Sequence, residues 1–522
     1  MSATKDTLTL GLELGSTRIK AVLINSKGEL VAEGMSDWED DLVNGYWTYT
    51  LEEVWHGIQS AYAQLRKEFI EKNKQELTNI DYIGISAMMH GYLVFDANNE
   101  LLTPFRTWRN VNTDEASKEL SKLFEFNIPH RWSISHLYQS ILDAEEHVNK
   151  IQFMTTLAGY VHWKLTGEKV IGIGDASGMF PIDYDKKDYD ENKIESFEKL
   201  SKVEKLDLNL KDILPECLLA GEKAGTLTEE GAKLLDPSGN LNAGSKFAPP
   251  EGDAGSGMVA TNTIEERTGN VSVGTSVFAM IVLENELDGY YPEIDIVSTP
   301  DGKPVAMVHC NNGTPDLDSW IKLFKEVINV LVGTNEHIEE DKLYKQLFEL
   351  ALTADKDASD IVNINFLTGE PIADVYSPMT IFSKKPNSQF SLNNFMLAHL
   401  YSIYAVLRMG LDILTEKEDV IIDELIAHGG VFKTKDVMQN IMSACLKIPV
   451  SVYPNANTGG AWGMSLLANY KNFDELNLSD YLDTIIYSDD IKKKTLLADE
   501  DWQVGFDKFL INYKDVLNSI KE

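Results

Sequence analysis

The sequence predicts an α/β protein of two domains with a cleft between them, and three observations carry that prediction. The chain has 522 residues, more than one ordinary core accommodates. Strand-like and helix-like periodicities alternate along it. A strand, glycine-hydroxyl turn, strand unit also opens each half, first from Leu8 to Ile24 and again from Gly269 to Leu283. Clefts between domains are where small molecules bind.

Leu8 to Leu12 reads as a strand, Gly15-Ser16-Thr17 as a tight turn, and Ile19 to Ile24 as the returning strand. Thr50 and Glu53 have capping-box spacing, and Val54, Ile58, Ala61, Leu65 and Phe69 follow at helical intervals, which predicts a long amphipathic helix. A strand over Tyr82 to Ser86 delivers Met88-Met89-His90-Gly91 at its carboxyl end. In the second half, Thr314-Pro315 starts a helix with Leu317, Trp320, Ile321 and Phe324 on its apolar face. Leu400 to Leu414 is read as a helix, Ile421 to Ala427 as a strand ending at Gly429-Gly430, and Asp480 to Glu522 as helical. The expected domains are 1–260 and 261–522, with a hinge near Gly257 to Thr263 to which Gly255 and Gly257 contribute.

Lys plus Arg number 47 against 82 Asp plus Glu, a formal net charge of -35. Such a chain has no basic surface for a phosphate backbone or anionic lipid, so no nucleic acid and no membrane partner is expected. The polar start Met-Ser-Ala-Thr-Lys-Asp has no apolar signal core, and no later stretch reads as a bilayer span, so a cytoplasmic protein is expected. Three distant cysteines, Cys217, Cys310 and Cys445, argue against a disulfide framework or zinc cluster and read as buried thiols.

Asp253, in Pro249-Pro250-Glu251-Gly252-Asp253-Ala254-Gly255-Ser256-Gly257, is an acid in a small, glycine-flanked loop. Such a loop lets a polar substrate approach, which makes Asp253 a candidate general base. Gly15, Ser16 and Thr17 form a turn whose N–H groups suit phosphate oxygens, with Lys20 adding charge and Glu13 placed to hold Mg2+; an ordinary hairpin with an edge carboxylate fits the same residues. Gly274-Thr275-Ser276 repeats that chemistry. His90 ends a strand beside Gly91, and Trp108-Arg109-Asn110 offers an aromatic face and donors suited to a sugar, or a packed tryptophan and a structural histidine. Gly429-Gly430, Lys433 and Gln439 or Asn440 could receive an adenine ring, or form a plain strand-to-helix turn. Gly172 to Gly178 imitates a dinucleotide loop but has the wrong glycine spacing and is rejected. Neither a P-loop run nor a protein-kinase catalytic loop is present.

In this order, the segments resemble the FGGY family of carbohydrate kinases, whose two-domain fold is of the actin, hexokinase and Hsp70 (ribonuclease H-like) type. Gly11 to Lys20 is similar to the family's first phosphate motif, and Met89-His90-Gly91 to the sugar-site run of its xylulokinases. Gly252-Asp253-Ala254 resembles the catalytic aspartate loop, Gly274-Thr275-Ser276 the second phosphate motif, and Gly429-Gly430 with Lys433 and Gln439 the adenosine motif. The resemblance implies phosphorylation of a ketopentose such as xylulose by ATP as Mg-ATP, with Asp253 as base. Glu13 and Asp253 would be the metal carboxylates, and Met89, His90, Gly91, Trp108 and Arg109 would contact sugar. A homodimer is plausible by the same likeness. The alternatives are a kinase for ribulose, fuculose, gluconate or glycerol, or an inactive sugar or nucleotide sensor. Glu13 replaces the family's usual aspartate, Trp108-Arg109-Asn110-Val111-Asn112 departs from its Trp-x-Asp-x-Arg, and Val431 replaces a third glycine.

Overall fold

The structure, a computed structural model, describes residues 7–206, 208–332, 339–434, 436–453, 459–473, 475–488 and 493–521. The chain divides into two compact units. The first is Met1–Ile264 with Asp295–Val305 and Thr458–Asp490; the second is Glu265–Ile294 with Ala306–Asn457 and Ile491–Glu522. The expected boundary at 260/261 lies beside the first crossing, but one cut does not separate the units. Periodicity reports which element a segment forms, not which core it joins, so the two returns went unseen.

In the first unit, β1 (Thr9–Leu14), β2 (Arg18–Ile24) and β3 (Leu30–Asp37) form an antiparallel meander. β4 (Tyr82–Ala87) runs parallel to β1, and the short β5 (Lys246–Phe247) and β6 (Glu251–Gly252) run parallel to β4. Alternation along β1 sends Leu10, Leu12 and Leu14 to one face, where they join Ile19, Val54, Ile58 and Leu65 in one core. Each such side chain contributes on the order of 2 kcal/mol when fully buried. The helix there, α1 (Leu51–Asn73), starts with the expected capping box: the Thr50 hydroxyl accepts from the Glu53 amide, and the Glu53 carboxylate accepts from the Thr50 amide.

The odd residues of β1 face the other way. Gly11 lies opposite Gly84 of β4, and a Cβ on Gly11 would stand 2.1 Å from the Ala461 carbonyl. The absence of side chains here lets a helix of the returning segment, Gly459–Tyr470, lie directly on the sheet. The same alternation presents Glu13 to the amino end of that helix. Asp253, expected in a flexible loop, is instead the first residue of the helix Asp253–Ala260. Gly255 and Gly257 are inside that helix and are not loop hinges, because their neighbours Ser256, Met258 and Val259 are buried and close a regular turn.

The second unit carries a sheet with β7 (Thr268–Val273) antiparallel to β8 (Val277–Val282) and parallel to β9 (Glu424–His428). β10 (Val450–Val452) and β11 (Lys494–Leu496) extend it. β11 corrects the expectation of an all-helical carboxyl-terminal stretch, and β9 starts later than expected because Ile421 is exposed. Helix Pro315–Val332 begins at the predicted proline. Helix Leu392–Lys417 is longer than expected and, contrary to the sequence reading, has the length and mean hydropathy, 1.3, of a bilayer span; 83% of its most apolar stretch is buried inside the protein. It is apolar around most of its circumference because it is a core helix. Cys310 and Cys445 are buried, whereas Cys217 is only partly so.

Candidate functional site

Asp253 sits where β6 becomes a helix, with Gly252 in extended conformation just before it. Its Oδ1 accepts the Met89 amide at 3.1 Å, which ties the carboxylate to the segment leaving β4. The residue is exposed to solvent, yet protein crowds it enough to desolvate the charge. This desolvation, followed by the negative charge of Glu13, pushes its pKa up to about 6, against the pull of the Met89 amide. A carboxylate raised towards neutrality and open to solvent suits proton abstraction.

His90 follows Met89 with a φ of 70°, and Gly91 with 106°. A histidine held in the left-handed region stores strain on the order of 1–2 kcal/mol, a frequent mark of functional sites. Its ring is buried and stacks on Trp132 with centroids 6.2 Å apart. Burial, then the charge of Arg131, lowers its pKa, so the ring is neutral. Nδ1 lies 3.2 Å from the Gly178 carbonyl and must donate its proton there, which leaves Nε2 as an acceptor.

The rejected Gly172 to Gly178 segment belongs to this site. As expected, it is no dinucleotide loop, since its helix spans only Ile173–Ala176. Asp175 on that helix is wholly buried. Its Oδ2 accepts the Thr156 hydroxyl at 2.6 Å, while its Oδ1 has no partner among the described residues and lies 3.2 Å from where a Cβ on Gly252 would stand. Glu251, also buried, accepts the amides of Gly174 and Asp175. Sequence reasoning missed both acids. Asp175 carried the signal that singled out Asp253, an acid among small residues, in Gly174-Asp175-Ala176-Ser177-Gly178.

Burial, only partly opposed by Thr156, raises the Asp175 pKa to about 7. The folded protein therefore keeps a proton that the unfolded chain releases near pH 4, so the stability from Asp175 is present in acid and is lost as pH rises through about 7. Asp175→Asn should shrink the fall in melting temperature between about pH 5 and about pH 8, with a ceiling of about 3 kcal/mol, since only the roughly two pH units below the folded pKa contribute in that window. Thermal denaturation of both proteins at the two pH values checks this.

The turn at Gly15, Ser16 and Thr17 is clamped from behind. Trp38 Nε1 donates to the Gly15 carbonyl at 2.7 Å, the Tyr49 hydroxyl to the Ser16 carbonyl at 2.6 Å, and the Trp38 amide to the Thr17 carbonyl at 3.2 Å. With the carbonyls held, the Ser16 and Thr17 amides have no protein partner among the described residues and remain available to an anion. Gly274, Thr275 and Ser276 follow the same plan in the second unit. Their carbonyls accept the amides of Thr314, Gly313 and Gly274 at 2.9, 2.8 and 2.9 Å, and the Thr275 and Ser276 amides are left without a protein partner among the described residues.

Glu13 accepts the Ala461 amide at 3.1 Å and stands 4.0 Å from Lys20 Nζ. Its charge and that of Asp253 repel, and a divalent cation would relieve such a pair of acids, so the donor set fits Mg2+. No cluster of three or more acidic, histidine or cysteine ligands occurs among the described residues. Trp108 donates from Nε1 to Ser16 Oγ at 3.0 Å and is 40% exposed, which places an indole face beside the first turn. Arg109, expected at the sugar, is engaged elsewhere: Nη1 contacts both Asp40 oxygens at 2.7 Å, and the guanidinium lies 3.8 Å over Trp47. A side chain with both its charge and its face satisfied has little left for a ligand.

Gly429 has a φ of 124°, and a Cβ there would stand 2.2 Å from the Val273 carbonyl, so the glycine is required by the approach of β9 to β7. Gly430 is exposed and opens a short 3-10 turn running to Lys433, whose side chain lies outside the described residues. Gln439 does not offer its amide to a nucleotide: it is buried and donates to the Val450 and Lys494 carbonyls, each at 2.7 Å. It ties together β10 and β11, a strand the sequence reading had not found.

Known proteins resemble the chain along most of its length. Residues 8–238 match the N-terminal domain, and residues 269–471 the C-terminal domain, of the FGGY family of carbohydrate kinases. The xylulose kinase of Lactococcus lactis subsp. lactis (strain IL1403) is 22% identical over 448 residues, covering 83% of this chain and 82% of the relative. Among solved structures, a xyloylose kinase from Brucella ovis aligns with a TM-score of 0.78 at 17% identity, over 98% of this chain and 99% of that one. A gluconate kinase from Lactobacillus acidophilus also gives 0.78, at 16% identity, over 99% and 98%. The fold is thus the two-domain actin/hexokinase-like fold of these kinases. With both family domains present in order over most of the sequence, the chain belongs to the FGGY family of carbohydrate kinases, as a xylulokinase-like member.

Proposed function

We propose that the chain transfers the γ-phosphoryl group of ATP to a hydroxyl of a ketopentose, xylulose being the first candidate, with Asp253 as general base. The observation that carries this reading is the solvent-open carboxylate of Asp253, fixed by the Met89 amide next to a neutral, strained His90. Asp253 accepts the proton of the attacking hydroxyl as its oxygen adds in line to phosphorus and the ADP oxygen leaves. His90 Nε2 accepts a second sugar hydroxyl, and the Trp108 indole lies against the sugar. The amides of Ser16 and Thr17, and those of Thr275 and Ser276, are offered to phosphate oxygens. Mg2+, held through Glu13 and Asp253, would offset negative charge on the phosphates when bound. A strongly acidic protein needs such local reversals of its field to bind ATP.

The sugar follows from likeness to xylulose kinases at low identity, and a gluconate kinase superposes equally well. The test is ADP release with Mg-ATP across xylulose, ribulose, fuculose, gluconate and glycerol, read as kcat/KM. Xylulose should lead. Another sugar in first place would correct the substrate and keep the chemistry, whereas ADP release with none of them would leave the reading of an inactive sensor.

A further inference from the structure

Behind the second glycine-hydroxyl turn lies a buried polar network that phosphoryl transfer does not require directly. Glu370 is wholly buried, and its Oε2 accepts both the Asn312 amide at 3.2 Å and Asn312 Nδ2 at 3.0 Å. Asn312 is buried too. Its Oδ1 accepts the Leu367 amide at 2.8 Å and the Thr368 amide at 3.0 Å, and its Nδ2 also reaches the Thr368 carbonyl at 3.2 Å. Asn365 Nδ2 adds a bond to the Gly313 carbonyl at 3.2 Å. Thus residues 365–370 clasp residues 312–313, and the next two amides, of Gly313 and Thr314, are those that hold the Thr275 and Gly274 carbonyls.

A buried carboxyl is expensive unless something is gained from it, and here burial raises the Glu370 pKa to about 7. The carboxyl is not exposed and so contacts no ligand itself. It accepts bonds from Asn312, the residue preceding the pair of amides that fixes the turn. We infer that Glu370 and Asn312 are positioning residues for nucleotide phosphate: they hold residues 312–314 so that the carbonyls of Gly274 and Thr275 stay turned back and the amides of Thr275 and Ser276 stay turned outward. This rests on the kinase reading above for the identity of the anion, but the geometry of the clasp does not.

The test compares Glu370→Ala, Asn312→Ala and Glu370→Gln with the unaltered protein. Gln keeps an acceptor oxygen for both Asn312 donors; Ala does not. Both alanine variants should bind ATP at least fivefold more weakly, with adenosine and sugar affinity changed less than twofold, and Glu370→Gln should recover most of the ATP affinity. Hydrogen exchange at the Gly313 and Thr314 amides, which donate to the Thr275 and Gly274 carbonyls, measured without ligand, should quicken in the alanine variants and stay normal in Glu370→Gln. Unchanged exchange and unchanged ATP affinity would overturn the clasp, as would a parallel fall in ATP, adenosine and sugar binding. If the unaltered protein binds no ATP, the kinase reading fails, and the exchange rates alone decide the clasp.

Discussion

Replacing Asp253 with asparagine should leave a folded protein that binds sugar but turns over at least roughly a hundredfold more slowly, the scale of lost general-base catalysis. Three observations make the substitution clean. The asparagine Oδ1 can still accept the Met89 amide, so the tie between the helix start and the His90 segment survives. The side chain is open to solvent, so no cavity or buried unpaired group results. Removing the charge also ends its repulsion with Glu13, so the melting temperature should hold or rise. Steady-state kinetics on the preferred sugar, with separate binding measurements for each substrate, check the outcome. Near-normal turnover would remove Asp253 from the role of base and leave the rest of the site to be reassigned.

Gly313→Ala should weaken ATP binding by roughly tenfold, equivalent to about 1.4 kcal/mol. A Cβ at this position would stand 2.1 Å from the Gly274 carbonyl oxygen, 3.0 Å from that of Thr275 and 3.1 Å from that of Ser276. All three obstacles are backbone atoms of the turn, so no side chain can rotate away. Either residues 312–314 or the turn must shift, which breaks the bonds at 2.8 and 2.9 Å that hold the carbonyls back. Overpacking of this kind costs about 1–3 kcal/mol in stability, so the protein should remain folded. Isothermal titration with ATP and with the sugar separates the two effects; sugar affinity should stay within about twofold. ATP affinity at the unaltered level would mean that the outward amides of this turn do not meet phosphate.

The parts of the site written in contiguous residues were legible in the sequence. Gly15-Ser16-Thr17 and Gly274-Thr275-Ser276 each join two strands whose alternation can be counted, His90 follows another strand, and the capping box at Thr50 is a local rule that held; Asp253 follows only the two-residue β6 and was marked by its small neighbours alone. What was not legible depends on distant partners. Trp38 and Tyr49 read only as aromatic residues, although they aim the first turn. Arg109 and Gln439 read as ligand donors because a polar side chain looks the same in sequence whether it meets a substrate, an aspartate or a backbone carbonyl. Glu251 and Asp175 were hidden because a buried acid is the exception that charge patterns argue against. Asp253 was assigned a plausible role and the wrong local structure, since glycine richness was read as flexibility where it permits close packing: Gly463 of the returning segment would place a Cβ 2.0 Å from the Ser256 carbonyl.

The return of Thr458–Asp490 to the first unit has a consequence for how the protein is made. During synthesis, the sheet built from Thr9 to Ala87 emerges early, yet the helix that covers Gly11 and Gly84 leaves the ribosome only after the second unit has been largely translated. Until then one side of that sheet stays uncovered, and Glu13 lacks the Ala461 amide it binds in the finished structure. The nascent chain therefore carries an unfinished surface for a long interval, and a fragment stopped at Ile264 should be a poor candidate for independent folding.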